Sequence, residues 1–356
     1  MTLSGTITAL WIVCLGVSLV QNVHSSWWYL GLAGSAYQTT MGSPALTYRS
    51  KCSQIDVLAP HQRELCGKSK NVLDVVSRGA SMGIEECQWQ FRGRRWNCTT
   101  FNTTDVFGHV LNLKTREKAY IYAISSAGVM HAITKGCAKG ELNICDCDNR
   151  IRNTDTGGDF IWGGCSHNIR FGDRFTGQFV DLNENRLQPD GLMNLWNNKA
   201  GRKSIKSNTK LVCKCHGVSG SCSSKICWRT MTSFREIGNV LKDRFDGASK
   251  VRYNTRKQRL SPVDKHQKKP NKNDLVYLEE SPDFCETNLA LGSLGTRGRQ
   301  CNKTSYGMDG CSLMCCGRGY HTLVRDVEED CNCKFFWCCR VECDKCTRRI
   351  EEHFCN

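Results

Sequence analysis

The densest set of reactive side chains in this chain runs from Cys213 to Trp228 and reads Cys-Lys-Cys-His-Gly-Val-Ser-Gly-Ser-Cys-Ser-Ser-Lys-Ile-Cys-Trp. Three chemistries are open to such residues. Ser219, three positions after His216, invites a secreted serine hydrolase using Ser219 and His216. A nucleophile elbow, however, needs Gly-x-Ser-x-Gly on a strand-to-helix turn, and the fifth position here is Ser221. His216 would also have to reach Ser219 from inside the same short segment, with no obvious third residue to orient it. Zinc is the second possibility, because Cys343-x-x-Cys346 and the Cys-x-Cys pairs beginning at Cys145, Cys213 and Cys331 have tempting spacing. Zinc sites usually repeat the two-residue spacing or mix in histidines, and Cys343-x-x-Cys346 stands alone. The third chemistry is oxidation. Pairing Cys213 with Cys227 and Cys215 with Cys222 keeps the sum of residue numbers nearly constant, as antiparallel strands require. That pairing gives a stapled hairpin with Ser219 at its tip, no catalytic residue and no metal.

The cysteine count favours oxidation. There are 25 cysteines. One of them, Cys14, lies in an apolar run from Ile7 to Val20 that is too short to span a bilayer and is followed by small residues near Ser25. Residues 1–25 therefore read as a secretory signal peptide, although the usual basic start is missing, and its removal leaves an even cysteine set suited to a disulfide framework in an oxidising compartment. Three sequons, at Asn97, Asn102 and Asn302, agree with that route. Asn97 would be blocked if Cys98 paired before a glycan was added.

The elements that must position these groups fall into two parts. Val72, Val75, Val76, Ala80 and Ile84 recur at helical spacing, as do Phe171, Phe175, Phe179 and Leu182, and Met231, Phe234, Ile237, Leu241 and Phe245. Thr115 to Lys139 is alanine-rich and apolar on more than one side, which predicts a central helix. Residues 26–249 thus read as a helical domain carrying the hairpin, its apolar stripes serving plain core packing. Residues 250–272 hold nine lysines and arginines against the single acid Asp264, and 250–273 reads as a basic linker. The formal charge of +15 on a secreted chain points to heparan sulfate rather than nucleic acid.

Residues 274–356 read as a small cysteine-rich domain. Pairing Cys331 with Cys346, Cys333 with Cys343 and Cys338 with Cys339 again keeps a nearly constant sum, which predicts a long hairpin in one register with Phe335, Phe336 and Trp337 leading into its tip. A bridge between the neighbours Cys338 and Cys339 would be strained. Aromatic residues at a tip with no local core predict contact with a partner; the bland alternative is packing back onto their own hairpin.

Taken together, these residues resemble the Wnt family of secreted, lipid-modified signalling glycoproteins, from about Trp27 to the C-terminus. The resemblance is carried by Glu86-Cys-Gln-Trp-Gln-Phe-Arg92 leading to Arg95-Trp-Asn-Cys98, by Trp162-Gly-Gly-Cys165 and by the Cys213–Cys222 motif. It continues in Gly307-Met-Asp-Gly-Cys311, Cys315-Cys-Gly-Arg-Gly319 and Trp337-Cys-Cys339. Ser25-Ser-Trp-Trp-Tyr29 and Asn273-Asp-Leu-Val-Tyr277 look like the second subgroup and Phe245-Asp-Gly-Ala248 like the fourth, so the subgroup stays open.

The resemblance implies an α+β, disulfide-rich fold: a helical N-terminal domain with a lipid-bearing hairpin, and a cysteine-rich β-hairpin C-terminal domain. It implies a developmental ligand that is not an enzyme and needs no cofactor. Ser219 would carry a covalent palmitoleate, added by a membrane-bound O-acyltransferase during secretion. A thumb at Val218 and Ser219 and an index finger at Phe336, Trp337, Cys338 and Cys339 would then hold the cysteine-rich domain of a Frizzled receptor. Relatives often have histidine where this chain has Phe336. A lipid-carrier protein, an LRP-type co-receptor and heparan sulfate proteoglycans of the extracellular matrix complete the implied partners. Family pairing also joins Cys87 with Cys98, Cys137 with Cys145, Cys147 with Cys165, Cys285 with Cys316, Cys301 with Cys311 and Cys315 with Cys355, leaving Cys52 with Cys66.

Overall fold

The computed structural model describes residues 27–32, 47–101, 105–218, 221–264, 266 and 268–356. The expected signal peptide, Ser219 and Asn102 lie outside the described residues.

The helical body is built around α2 (Arg116–Ala138), with α1 (Val72–Phe91), α3 (Ile169–Val180), α4 (Pro189–Ser207) and α5 (Phe234–Asp246) packed against it. Nearly every residue of α2 is buried, as its lack of a polar face requires. Small residues set the closeness of the crossing with α1: a Cβ on Gly128 would lie 2.3 Å from the Gly79 carbonyl oxygen. Capping fixes where α5 begins, because Ser233 Oγ accepts from the Glu236 amide (3.3 Å) and Glu236 Oε1 accepts from the Ser233 amide (3.4 Å). Phe175 and Phe179 of α3 are buried, whereas Leu182 continues the sequence pattern past the helix end and is exposed.

A three-stranded sheet leaves this body. Strand β2 (Thr209–His216) pairs antiparallel with β3 (Ser224–Met231), and β1 (Ile161–Trp162) runs parallel to β3. The segment expected to be a linker is partly folded. Strands β4 (Ser249–Asn254) and β5 (Arg259–Pro262) form a hairpin, and β6 (Val276–Tyr277) pairs parallel with β4. Val251, Val276 and Tyr277 form a small buried cluster with Met193 of α4, so residues 276–277 belong to the helical body rather than to the following domain. One buried apolar residue in β4 was too faint a pattern to predict this, since the strand depends on a partner some 25 residues away.

The C-terminal part holds the short strands β7 (Thr287–Asn288), β8 (Ser293–Leu294) and β9 (Gln300–Cys301), then the ribbon of β10 (Tyr320–Phe336) and β11 (Arg340–Cys355). Its buried cluster is Cys301, Cys311, Met314, Cys315 and Cys355, four cysteines and one methionine. So little apolar burial cannot order these residues alone, and covalent cross-links replace it. Across the seam, the Arg95 guanidinium donates to the Leu313 carbonyl (Nη2, 2.7 Å) and Arg299 donates to the carbonyls of Arg92 and Arg95. The result is an α+β, disulfide-rich molecule.

Candidate functional site

Two hairpin tips project from this frame. The first is prepared by the β2/β3 register, which sets Cys213 opposite Cys227 with Cα atoms 4.0 Å apart and closes a disulfide between them. Cys215 faces Lys225 and bonds instead to Cys222, beyond the strand end. The hairpin base is gripped by the Trp162-Gly-Gly-Cys165 block together with Ser166 and His167. Gly163 N donates to Cys227 O (3.0 Å), Ser166 Oγ accepts from Arg229 N (3.1 Å) and His167 Nδ1 accepts from Met231 N (3.1 Å). Burial and the nearby Lys135 lower the His167 pKa, keeping the ring neutral and able to accept. At the tip, Ser221 N donates to Val218 O (3.1 Å) and a Cβ on Gly217 would meet the Ser221 carbonyl at 2.2 Å, so the chain turns too tightly there for any side chain. Val218, next to Ser219, is 86% exposed. The hairpin from Thr209 to Met231 contains neither aspartate nor glutamate, so no acid on it could orient His216 for catalysis.

The second tip ends the β10/β11 ribbon. Trp337 is 95% exposed, and Phe335, Phe336 and Val341 are exposed with it, so the aromatics do not pack back onto their own strands. Two expectations are corrected here. The ribbon has two registers, not one: the pairing shifts by one residue between Cys331 and Lys334, where Asn332 takes φ +48°. Cys331 therefore faces Asp344 and reaches Cys346 diagonally, while Cys333 and Cys343 close directly with Cα atoms 4.0 Å apart. The pair Cys338 and Cys339 is not bridged. Both thiols are free and exposed, on neighbouring residues with φ of +75° and +79° that carry the chain from β10 into β11. Turn geometry outweighs the numerical symmetry that suggested a bond, because a disulfide prefers more widely spaced Cα atoms than adjacent residues offer.

The other described cysteines bridge as Cys52–Cys66, Cys87–Cys98, Cys137–Cys145, Cys147–Cys165, Cys285–Cys316, Cys301–Cys311 and Cys315–Cys355. The sulfurs of Cys301, Cys311 and Cys315 lie within 4.8 Å of one another, yet all three are already oxidised, and so are Cys343 and Cys346. Disulfide-bonded sulfur is not the thiolate that zinc binds. Asn97 and Asn302 both line one cleft, with Asn97 half-buried and Asn302 exposed.

Sequence reasoning missed a largely buried set of charges by which α4 is tied to α2 and α3. Lys118 Nζ donates to both Asp190 oxygens (2.6 and 2.8 Å), and the Arg202 guanidinium spans Asp173 and Asp181. Glu184 sits beside it and accepts from Asn194 Nδ2 (2.8 Å). The isolated charges inside helical patterns were the available signal, but pairing them needs the fold.

The family model described as "wnt family" matches residues 54–356. The chain belongs to the Wnt family. Among curated Wnt proteins it is 45% identical to human Wnt-5a over 343 residues, covering 93% of this chain and 89% of that protein. Against Wnt-5b of Pongo abelii the identity is 47% over 313 residues, with 86% and 87% covered. A chain of the solved complex of human WLS with WNT8A aligns at TM-score 0.57 and 40% identity, covering 80% of this chain and 94% of its own. Wnt proteins are secreted signalling ligands, not enzymes, which removes the hydrolase reading of Ser219. Among the described residues of this Wnt, no helix is long and apolar enough to cross a membrane.

Proposed function

We propose that this Wnt signals by binding the cysteine-rich domain of a Frizzled receptor through two tips, a palmitoleoylated Ser219 on the first hairpin and Phe336, Trp337, Cys338 and Cys339 on the second. The observation that carries the reading is the exposure of large apolar groups at both ends, Val218 beside Ser219 and Trp337 on the ribbon, with no core nearby to account for them. An acyl chain of about fourteen buried methylenes at ~0.8 kcal/mol each offers on the order of 11 kcal/mol of transfer free energy before ordering costs. One such chain holds a membrane only marginally, so the ligand can exchange a bilayer for a better groove. Travel then calls for a lipid carrier; the complex of WLS with WNT8A supports a carrier of that kind. A membrane-bound O-acyltransferase would install the lipid, and an LRP-type co-receptor would complete the signalling assembly. The lysines and arginines of residues 250–272 favour retention on heparan sulfate proteoglycans in the extracellular matrix.

Peptide mass spectrometry of the secreted protein tests the thumb. A monounsaturated acyl adduct is expected on the peptide containing Ser219, with its loss in Ser219→Ala accompanied by loss of Frizzled binding. Unmodified Ser219 in protein that still binds and signals would sink this account.

A further inference from the structure

The sequence holds two Arg-x-x-Arg quartets, Arg92-Gly-Arg-Arg95 and Arg256-Lys-Gln-Arg259, and the fold treats them oppositely. The first is locked. Arg94 ion-pairs with Asp246 (2.9 Å), Arg95 is held on the Leu313 carbonyl, Trp96 is buried and the Cys87–Cys98 disulfide closes a loop around them. The second lies at the turn between β4 and β5, where residues 255–259 are all exposed and Gln258 takes φ +45°. Arg256 and Arg259 form no side-chain ion pair among the described residues.

We propose that the Arg259–Leu260 peptide bond is a cleavage site for a secretory-pathway serine protease whose acidic pockets require arginine at the first and fourth positions before the cut. In the reaction, water delivers hydroxyl to the Arg259 carbonyl carbon, the C–N bond breaks and Leu260 leaves with a protonated amine. Such proteases bind their substrate extended, so β5 must peel away from β4. Several features make that opening easy. The strand has four residues, lies at the sheet edge in the order β5-β4-β6, buries none of its side chains fully and ends in Pro262, which has no amide to donate. Exposed loop tips of this kind are where nicking concentrates.

The disulfides determine what the cut would do. Every bridge falls either between Cys52 and Cys227 or between Cys285 and Cys355, so no disulfide among the described residues spans position 259. A nicked molecule is held only by non-covalent contacts, such as Asn197 with Val276 (2.9 Å), Trp196 with the Asp274 carbonyl (2.9 Å) and Lys114 with Glu279 (2.8 Å). Cleavage thereby converts one chain bearing both tips into two non-covalently associated halves with one tip each. The site stands whether or not Ser219 is acylated.

The test is incubation of the purified secreted protein with a proprotein convertase. Two fragments are expected on a denaturing gel run without reductant, the smaller one beginning Leu260-Ser-Pro, while gel filtration of the nicked protein still shows one species. Arg256→Gln and Arg259→Gln should each abolish the fragments with the circular dichroism spectrum unchanged. The proposal is overturned if the folded protein resists while the reduced, unfolded chain is cut at Arg259, or if the two variants are cut as readily as their parent.

Discussion

Replacing Glu184 by glutamine should make the protein more stable at neutral pH and change the slope of its stability with pH. Burial raises the Glu184 pKa from 4.5 to about 7, against the opposing pull of the Asn194 hydrogen bond and the Lys118 charge. Between those two values the unfolded chain has an ionised carboxylate while the folded chain keeps the proton. The unfolded state then binds fewer protons, so stability falls as pH rises through this window. At 1.36 kcal/mol for each pKa unit, the stabilisation present below pH 4.5 and lost above pH 7 amounts to about 3 kcal/mol. Glutamine does not titrate, so the variant lacks this loss. Urea unfolding with disulfides intact, run on both proteins from pH 4.5 to 8, isolates the effect in their difference, because all other groups cancel. The variant should gain about 3 kcal/mol on its parent across that range. Two parallel stability curves would refute the reasoning.

His131 carries the opposite sign: burial lowers its pKa to about 4, so stability is lost as pH falls from 6.5 towards 4, and His131→Gln should lessen that acid slope in the same unfolding series. Gly128→Val would drive a side chain into the Gly79 carbonyl and part α1 from α2, costing ~1–3 kcal/mol in unfolding free energy and lowering secreted yield. Trp337→Ala should leave stability within about 0.5 kcal/mol of the parent because the ring touches so little. Its affinity for a Frizzled cysteine-rich domain should nevertheless fall by about 2 kcal/mol or more in a binding titration.

The parts of the fold written in local pattern could be read from the chain. The period of Val72, Val75, Val76 and Ala80 marks α1, and the two-sided apolarity of 115–139 marks the central helix, because side-chain spacing alone reports which faces are buried. The first hairpin was legible for a different reason: the Cys213/Cys227 symmetry and the strand register share one constraint. The second hairpin shows where that logic fails. A bulge at Asn332 changes the register without leaving a signal in the numbering, and the adjacent thiols of Cys338 and Cys339 preserve the sum while occupying a turn. The β4/β6 pairing and the Lys118–Asp190 contact were invisible because each joins residues far apart in sequence, through surroundings that exist only after folding.

The ribbon of β10 and β11 has a mechanical side. Its 17-residue strand spans roughly 55 Å at 3.3 Å per residue, and only its root is tied into a buried cluster. Such a beam is a lever: a rocking of about 5° at the root sweeps the tip through about 5 Å over that length. Two bridges near the far end, Cys331–Cys346 and Cys333–Cys343, stiffen the beam where bending would otherwise absorb the sweep. A rotation at the root would thus displace Trp337 more than any residue nearer the root, while the two bridges hold the tip's own shape.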